Sequence, residues 1–317
     1  MIYTQLGKTG IEVSKIAFGS LTMGPLQRNM SAEEGAFLIE YAFHEKGINF
    51  LDTAELYETY PHVALALKNI PRKAYRIASK SYAYSRETAK RSFETALEAL
   101  QTDYLDLFML HEQVDEWTFR GHYEAVDYFM EMKEKGVLKS FGISTHYISG
   151  VRAAIKFPEI DVVHPIVNKK GLGILDGGID EMAQALMTYK ARGGGVFGMK
   201  PLGGGNLLNS IDENFEFVLS RPYLDAIAFG MQSTDEIDYN VAKIMGDPID
   251  EQLKRRLKGR NKSLQIADWC IKCGACVEKC DHKALSLTEA GIVIDHSKCV
   301  LCGYCASVCP EFCIKVY

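Results

Sequence analysis

The chain of 317 residues is 47% hydrophobic and carries a formal net charge of −5 at pH 7. That length supports one large apolar core plus a small appended unit, and the acidic balance argues against nucleic acid as a main partner. No charged leader precedes an apolar run and no stretch is long enough to span a bilayer, so the expectation is a cytoplasmic protein with no membrane partner.

In chain order, residues 2–13, with Gly7 and Gly10, read as a hairpin. Apolar runs that end in polar residues follow at 13–18, 49–53, 76–80, 104–111, 140–145, 162–167, 196–201 and 226–231. They read as strands. Stretches with helical periodicity lie between them at 31–44, 86–100, 123–135, 179–191 and 235–245, and Ser233-x-x-Glu236 reads as a capping box opening the last. Such alternation over about 250 residues predicts an α/β fold, a (β/α)8 TIM barrel over 1–247, in preference to an open doubly wound sheet. The triplet Gly193–Gly195 precedes the seventh strand and reads as a helix end at the opposite face. After Asp247-Pro248, residues 248–263 read as a helical connector to a small module over 264–317.

Functional groups of such barrels sit at the C-terminal ends of strands. Asp52 and Tyr57 follow the second strand, Lys80 ends the third and His111 the fourth. The run Gly47-Ile48-Asn49-Phe50-Leu51-Asp52-Thr53-Ala54-x-x-Tyr57 resembles the signature of the aldo/keto reductase family. Ile77-Ala78-Ser79-Lys80 and Asp106-Leu107-Phe108-Met109-Leu110-His111 resemble its later blocks. The resemblance implies a catalytic tetrad of Asp52, Tyr57, Lys80 and His111. A phenol titrates near pH 10, so Tyr57 needs a neighbour to stabilise its phenolate, and Lys80, held charged by Asp52, is the expected one. His111 is expected to donate a hydrogen bond to the substrate oxygen as negative charge develops there.

The same resemblance implies a nicotinamide across the barrel's top. Ser144 and Thr145 lie in a Gly-Ile-Ser-Thr block similar to the family's carboxamide-binding block, with Asn168 ending the sixth-strand block. His164 stands where Gln is usual and Met199 where a stacking aromatic is usual. Pro201, Leu202 and Gly203 open a stretch similar to the pyrophosphate loop. Gly230, Ser233, Glu236 and Asn240 fall in the adenosine block, with Glu236 where a base often meets a 2′-phosphate. A carboxylate there favours NAD over NADP. No flavin motif is evident, but a barrel phosphate loop can hold FMN, which leaves a flavin open.

All nine cysteines lie between Cys270 and Cys313. Two runs share one spacing: Cys270, Cys273, Cys276, Cys280 and Cys299, Cys302, Cys305, Cys309, the second followed by Pro310. In the bacterial-ferredoxin pattern that this resembles, the fourth cysteine of each run serves the other cluster. One 4Fe–4S cluster is therefore expected on Cys270, Cys273, Cys276 and Cys309, the other on Cys299, Cys302, Cys305 and Cys280. Cys313 aligns with Ala284 and reads as a small buried hydrophobe. Disulfides and structural zinc are the weaker readings of this pattern.

Together these features read as an iron–sulfur oxidoreductase that interconverts a small carbonyl and an alcohol at Tyr57, with clusters linked to a redox partner protein. The competing reading is an electron-transfer or redox-sensing subunit whose barrel binds a cofactor without turnover. The remaining histidines, including His62, His122 and His146, share no metal-binding spacing and read as ordinary core or surface residues.

Overall fold

The structure is a computed structural model, and it describes residues 1–258, 263–299 and 303–316. Strands β1 (Tyr3–Gln5) and β2 (Glu12–Ser14) pair antiparallel as the expected hairpin. Eight parallel strands then close into a barrel: β3 (Ile16–Gly19), β4 (Phe50–Asp52), β5 (Arg76–Ser81), β6 (Leu105–Leu110), β7 (Leu138–Thr145), β8 (Val162–Pro165), β9 (Gly195–Gly198) and β10 (Ala226–Gly230), with β10 pairing back to β3. The helices are α1 (Ala32–His44), α2 (Tyr60–Ala66), α3 (Arg86–Ala99), α4 (Glu116–Gly121), α5 (Tyr123–Glu134), α6 (Ile148–Lys156), α7 (Ile179–Ala191), α8 (Ile211–Leu219), α9 (Thr234–Met245), α10 (Glu251–Lys258) and α11 (Ala275–Lys279). Helices α2, α4, α6, α8 and α11 were not foreseen. At five to nine residues each, they are too short for the apolar period to stand out.

Two apolar layers hold the barrel. Phe50, Ala78, Leu107, Met109, Val162 and Phe197 fill its interior, where Leu6, Ile11 and Val13 of the hairpin plug the lower end. The larger layer lies between strands and helices, with Phe18, Phe93, Phe108, Phe129 and Phe141 fully buried. At the lower rim one device recurs three times. Asp106 accepts the Ile77 N–H, Asp161 the Phe141 N–H and Asp225 the Val196 N–H. Each carboxylate is countered by a cation, Arg72, Lys133 and Lys190 in turn. These stitches satisfy amides in β5, β7 and β9 that would otherwise be buried without a partner.

The helix α9 begins at Ser233, whose Oγ accepts the Glu236 N–H at 3.2 Å. The capping box is only half formed, because the Glu236 carboxylate turns to the Gln232 N–H at 2.7 Å instead. Arg256 ties α10 back to α9 through Asp235. The module that follows is built of β11 (Leu264–Ile266) paired with β14 (Ile314–Val316), and β12 (Leu285–Thr288) paired with β13 (Gly291–Ile294). Its apolar core is little more than Leu264, Leu285, Ala306 and Ile314 with the thiols of Cys276 and Cys305. So small a core leaves much of the folding free energy to be supplied by metal ligation. The two halves repeat in backbone as well as in spacing. Gly274 and Gly303 both take φ near +78°, and Lys283 and Phe312, three residues after Cys280 and Cys309, both take φ +51°.

Candidate active site

Strand ends β4, β5 and β6 bring Asp52, Lys80 and His111 together, and the turn after β4 adds Tyr57. Lys80 is fully buried; its Nζ donates to Asp52 Oδ1 at 2.7 Å and to the Thr53 carbonyl at 2.8 Å. The same Nζ stands 4.6 Å from the centre of the Tyr57 ring. His111 meets Tyr57 edge-on, with ring centres 5.8 Å apart, and stacks on Tyr82 at 4.6 Å. Burial counts against both charges of the Lys80–Asp52 pair. Even so, the Lys80 ammonium holds Asp52 ionised, with a pKa near 2, whereas burial outweighs Asp52 at Lys80 and lowers its pKa. We take the pair as charged but close to neutral in net stability, because the attraction mainly offsets the desolvation of the two groups.

Burial, reinforced by the charges of Asp52 and Glu112, pushes the Tyr57 phenol well above its ordinary range. With the Lys80 ammonium hydrogen-bonded to Asp52 and Thr53, burial is the main influence on the Tyr57 phenol. His111 is pushed well below pH 6.5 by burial and by Lys80, so it is a neutral imidazole. Its Nδ1 is buried and lacks a hydrogen-bond partner.

Tyr57 lines a cavity of about 770 Å³ whose walls come from the barrel top and from the module. Of the residues expected to hold a nicotinamide, His164, Met199, Pro201, Leu202, Gly230, Glu236 and Asn240 line it. Ser144, Thr145, Asn168, Gly203 and Ser233 do not. Ser144 Oγ accepts the Glu112 N–H, Thr145 Oγ1 bonds both the N–H and the carbonyl of Tyr147, and Asn168 closes on Leu172. Those side chains are held within the protein, and Ser233 is held by its cap. His164 donates from Nδ1 to the Phe197 carbonyl at 2.7 Å and turns Nε2 toward Asp52 Oδ1, 3.7 Å away. It thus joins the Asp52–Lys80 cluster from β8.

Several residues that sequence reasoning passed over also reach this region. Glu112 and Lys200, each just past a strand-end residue, take left-handed backbone conformations at φ +51° and +54°. Such strain collects at functional sites. Tyr82 Oη donates to Glu112 at 2.7 Å, Glu112 faces His146 Nε2 at 3.7 Å, and Lys200 Nζ lies 3.1 Å from that same nitrogen. Phe312 of the module sets its ring 4.1 Å from Lys200 Nζ and fills the space over Gly173, where any Cβ would come within 2.2 Å of it. Position in the loop after β9 was the available signal for Lys200; Phe312 had none.

The thiols fall into two groups. Cys276 is buried and feels the charges of Cys270, Cys273 and Cys309. Cys280, Cys299 and Cys305 line a separate small cavity of about 50 Å³. Cys302 lies outside the described residues. Four thiols of one group and three of the other thus gather as soft donors suited to an iron–sulfur cube. Among the described residues no three acidic, His or Cys side chains converge as around a single metal ion. Cys313 is buried beside Cys270 and Cys309. Trp269 is half-exposed and donates to the Glu311 carbonyl.

Comparison with known proteins agrees with this division. Residues 15–248 match the model described as the aldo/keto reductase family, and residues 269–313 match a 4Fe–4S dicluster domain. A probable aldo-keto reductase 1 from Glycine max is 33% identical over 177 residues, 51% of this chain and 48% of that one. L-galactose dehydrogenase from Arabidopsis thaliana is 26% identical over 64% of this chain and 66% of its own. The chain therefore spans about half to two thirds of the length of these curated relatives. A crystal structure of a putative aldo-keto reductase from Pseudomonas aeruginosa superposes with a TM-score of 0.67 at 22% identity, covering 77% of this chain and 95% of the other. Among the described residues no helix is long and apolar enough to cross a membrane.

Proposed function

The chain belongs to the aldo/keto reductase family of oxidoreductases and carries a 4Fe–4S dicluster domain; from that premise we propose that it interconverts a carbonyl and an alcohol at Tyr57, with its clusters exchanging electrons with a redox partner protein. The division we propose is a barrel over 1–247, a connector over 248–263 and a ferredoxin-type module over 264–317. The observation that carries the reading is that Tyr57 lines the large cavity while touching the buried Lys80–Asp52 pair and neutral His111.

Tyr57 holds its proton firmly, which suits the reducing direction: the phenol donates only as an alkoxide develops on the substrate oxygen. Lys80, fixed by Asp52 and Thr53, keeps a positive charge against the ring of Tyr57 and steadies the phenolate left behind. His111, neutral and stacked on Tyr82, orients the carbonyl. When bound, a nicotinamide supplies hydride and the two clusters supply single electrons. Cys270, Cys273, Cys276 and Cys309 would hold one cluster, and Cys280, Cys299, Cys302 and Cys305 the other. Glu236 on the cavity wall favours NAD over NADP by charge repulsion of a 2′-phosphate.

The internal engagement of Ser144, Thr145 and Asn168 favours the second reading, a redox relay whose barrel does not turn over. Anaerobic protein separates the two. Consumption of NADH with formation of an alcohol from a panel of aldehydes and ketones supports the enzyme. Cluster EPR signals that respond to a one-electron donor, without nicotinamide binding or carbonyl turnover, support the relay.

A further inference from the structure

We propose that the iron–sulfur module completes the barrel's cavity with a subsite for a substrate carboxylate, held between Lys200 of the barrel and Lys315 of the module, so that the substrate is an oxo acid or the matching hydroxy acid. The proposal rests on the reading that the carbonyl is turned over at Tyr57.

Both lysines line the cavity that Tyr57 and His164 also line. Their ammonium groups flank one ring, Phe312, at 4.1 and 5.6 Å from its centre. Among the described residues neither has a carboxylate within ion-pair distance. Lys200 Nζ donates instead to His146 Nε2, and the nearby Glu112 is engaged by the Tyr82 hydroxyl. Two ammonium groups lining one cavity, neither of them paired with a carboxylate, are costly, and a bound anion offsets that cost. The charge of Lys315 is felt at Lys200, which burial and that charge together lower to a pKa of about 7.

The position of Lys200 selects the substrate rather than the phosphate end. Its charge disfavours protonation of both His111 and His146. Through His146, Glu112 and Tyr82 it is also linked to the ring stacked on His111. With the carbonyl placed at Tyr57, which lines the same cavity as the two lysines, we assign the space facing their ammonium groups to a carboxylate of the same molecule. Two other roles compete for Lys315. Its Nζ would lie 3.9 Å from a Cβ on Gly204, so a dinucleotide phosphate is a rival anion, and it also faces the thiol of Cys309.

The test uses the full chain, purified anaerobically with both clusters confirmed by absorbance, and calorimetric titration with oxalate and, separately, NADH. Oxalate is expected to bind the wild type and to bind Lys200→Met and Lys315→Met at least roughly tenfold more weakly, the loss typical of one charged hydrogen bond. Lys315→Arg retains binding, and NADH affinity is unchanged throughout. Oxalate affinity unaltered in both methionine variants overturns the proposal. So does a loss confined to NADH, which assigns the anion to the dinucleotide, or a shift confined to the cluster potential, which makes Lys315 a counter-charge for the cluster. Oxalate is not turned over, so the outcome is independent of whether Tyr57 is the acid.

Discussion

Replacing Asp52 by Asn isolates what the buried ion pair contributes. Lys80 has no solvent exposure, and its partners are Asp52 Oδ1 and the Thr53 carbonyl. Asn keeps the shape and one acceptor but removes the charge, leaving an ammonium buried against neutral groups. Breaking one side of a buried pair costs about 3–5 kcal/mol, and the retained acceptor puts this case near about 3 kcal/mol at pH 7. For a chain of this size that is a fall in Tm of roughly 5–10 °C by thermal melting. The ammonium in the variant lowers its pKa further than in the wild type. A group whose folded pKa is depressed binds fewer protons folded than unfolded, so stability rises with pH, and the deficit shrinks toward pH 10. In the wild type the sign at Asp52 is the same: with a folded pKa near 2, its contribution is present above pH 4 and is lost as pH falls toward 2. An Asp52→Asn melt within 1 °C of the wild type, with unchanged pH dependence, would refute the argument.

Three further outcomes follow from the same geometry. Gly173 has φ +93°, and a Cβ there would meet the Phe312 ring at 2.2 Å, so Gly173→Val should prise the module from the barrel; limited proteolysis near residues 248–263 should speed up while the barrel itself stays resistant. His111, His146 and His164 all have folded pKa values below the unfolded value, so stability should fall as pH drops below 6.5, by up to about 4 kcal/mol per pH unit if all three stay neutral, checked by melts between pH 7 and 5.5. Asp106→Ala should cost about 3 kcal/mol in denaturant melts, since it removes the counter-charge of Arg72 and leaves the Ile77 amide without its acceptor, without altering the substrate KM.

The barrel was legible because its eight apolar runs are long and regularly spaced, and the cysteine module because metal ligation imposes a spacing that few other needs produce. Asp52, Lys80 and His111 were legible at or just past strand ends, and Tyr57 in the turn after β4, because the family resemblance fixed their spacing. The nicotinamide pocket was read less well: Ser144, Thr145 and Asn168 occupy the matching positions, but their side chains satisfy neighbouring backbone groups instead of facing the cavity. What sequence could not show was contact between the two halves. Phe312 reaches Lys200, and Lys315 reaches the cavity, only because β14 folds back beside the barrel's glycine turn after β9. His146 looked like an ordinary histidine for the same reason, since Glu112 and Lys200 come to it from other strands.

The most direct test of the central claim is anaerobic carbonyl turnover by Tyr57→Phe, with cluster absorbance confirming that the module is intact. The account predicts a loss of roughly 10²–10⁴-fold in kcat, the usual contribution of a general acid, with oxalate binding retained. Turnover at the wild-type rate would contradict it.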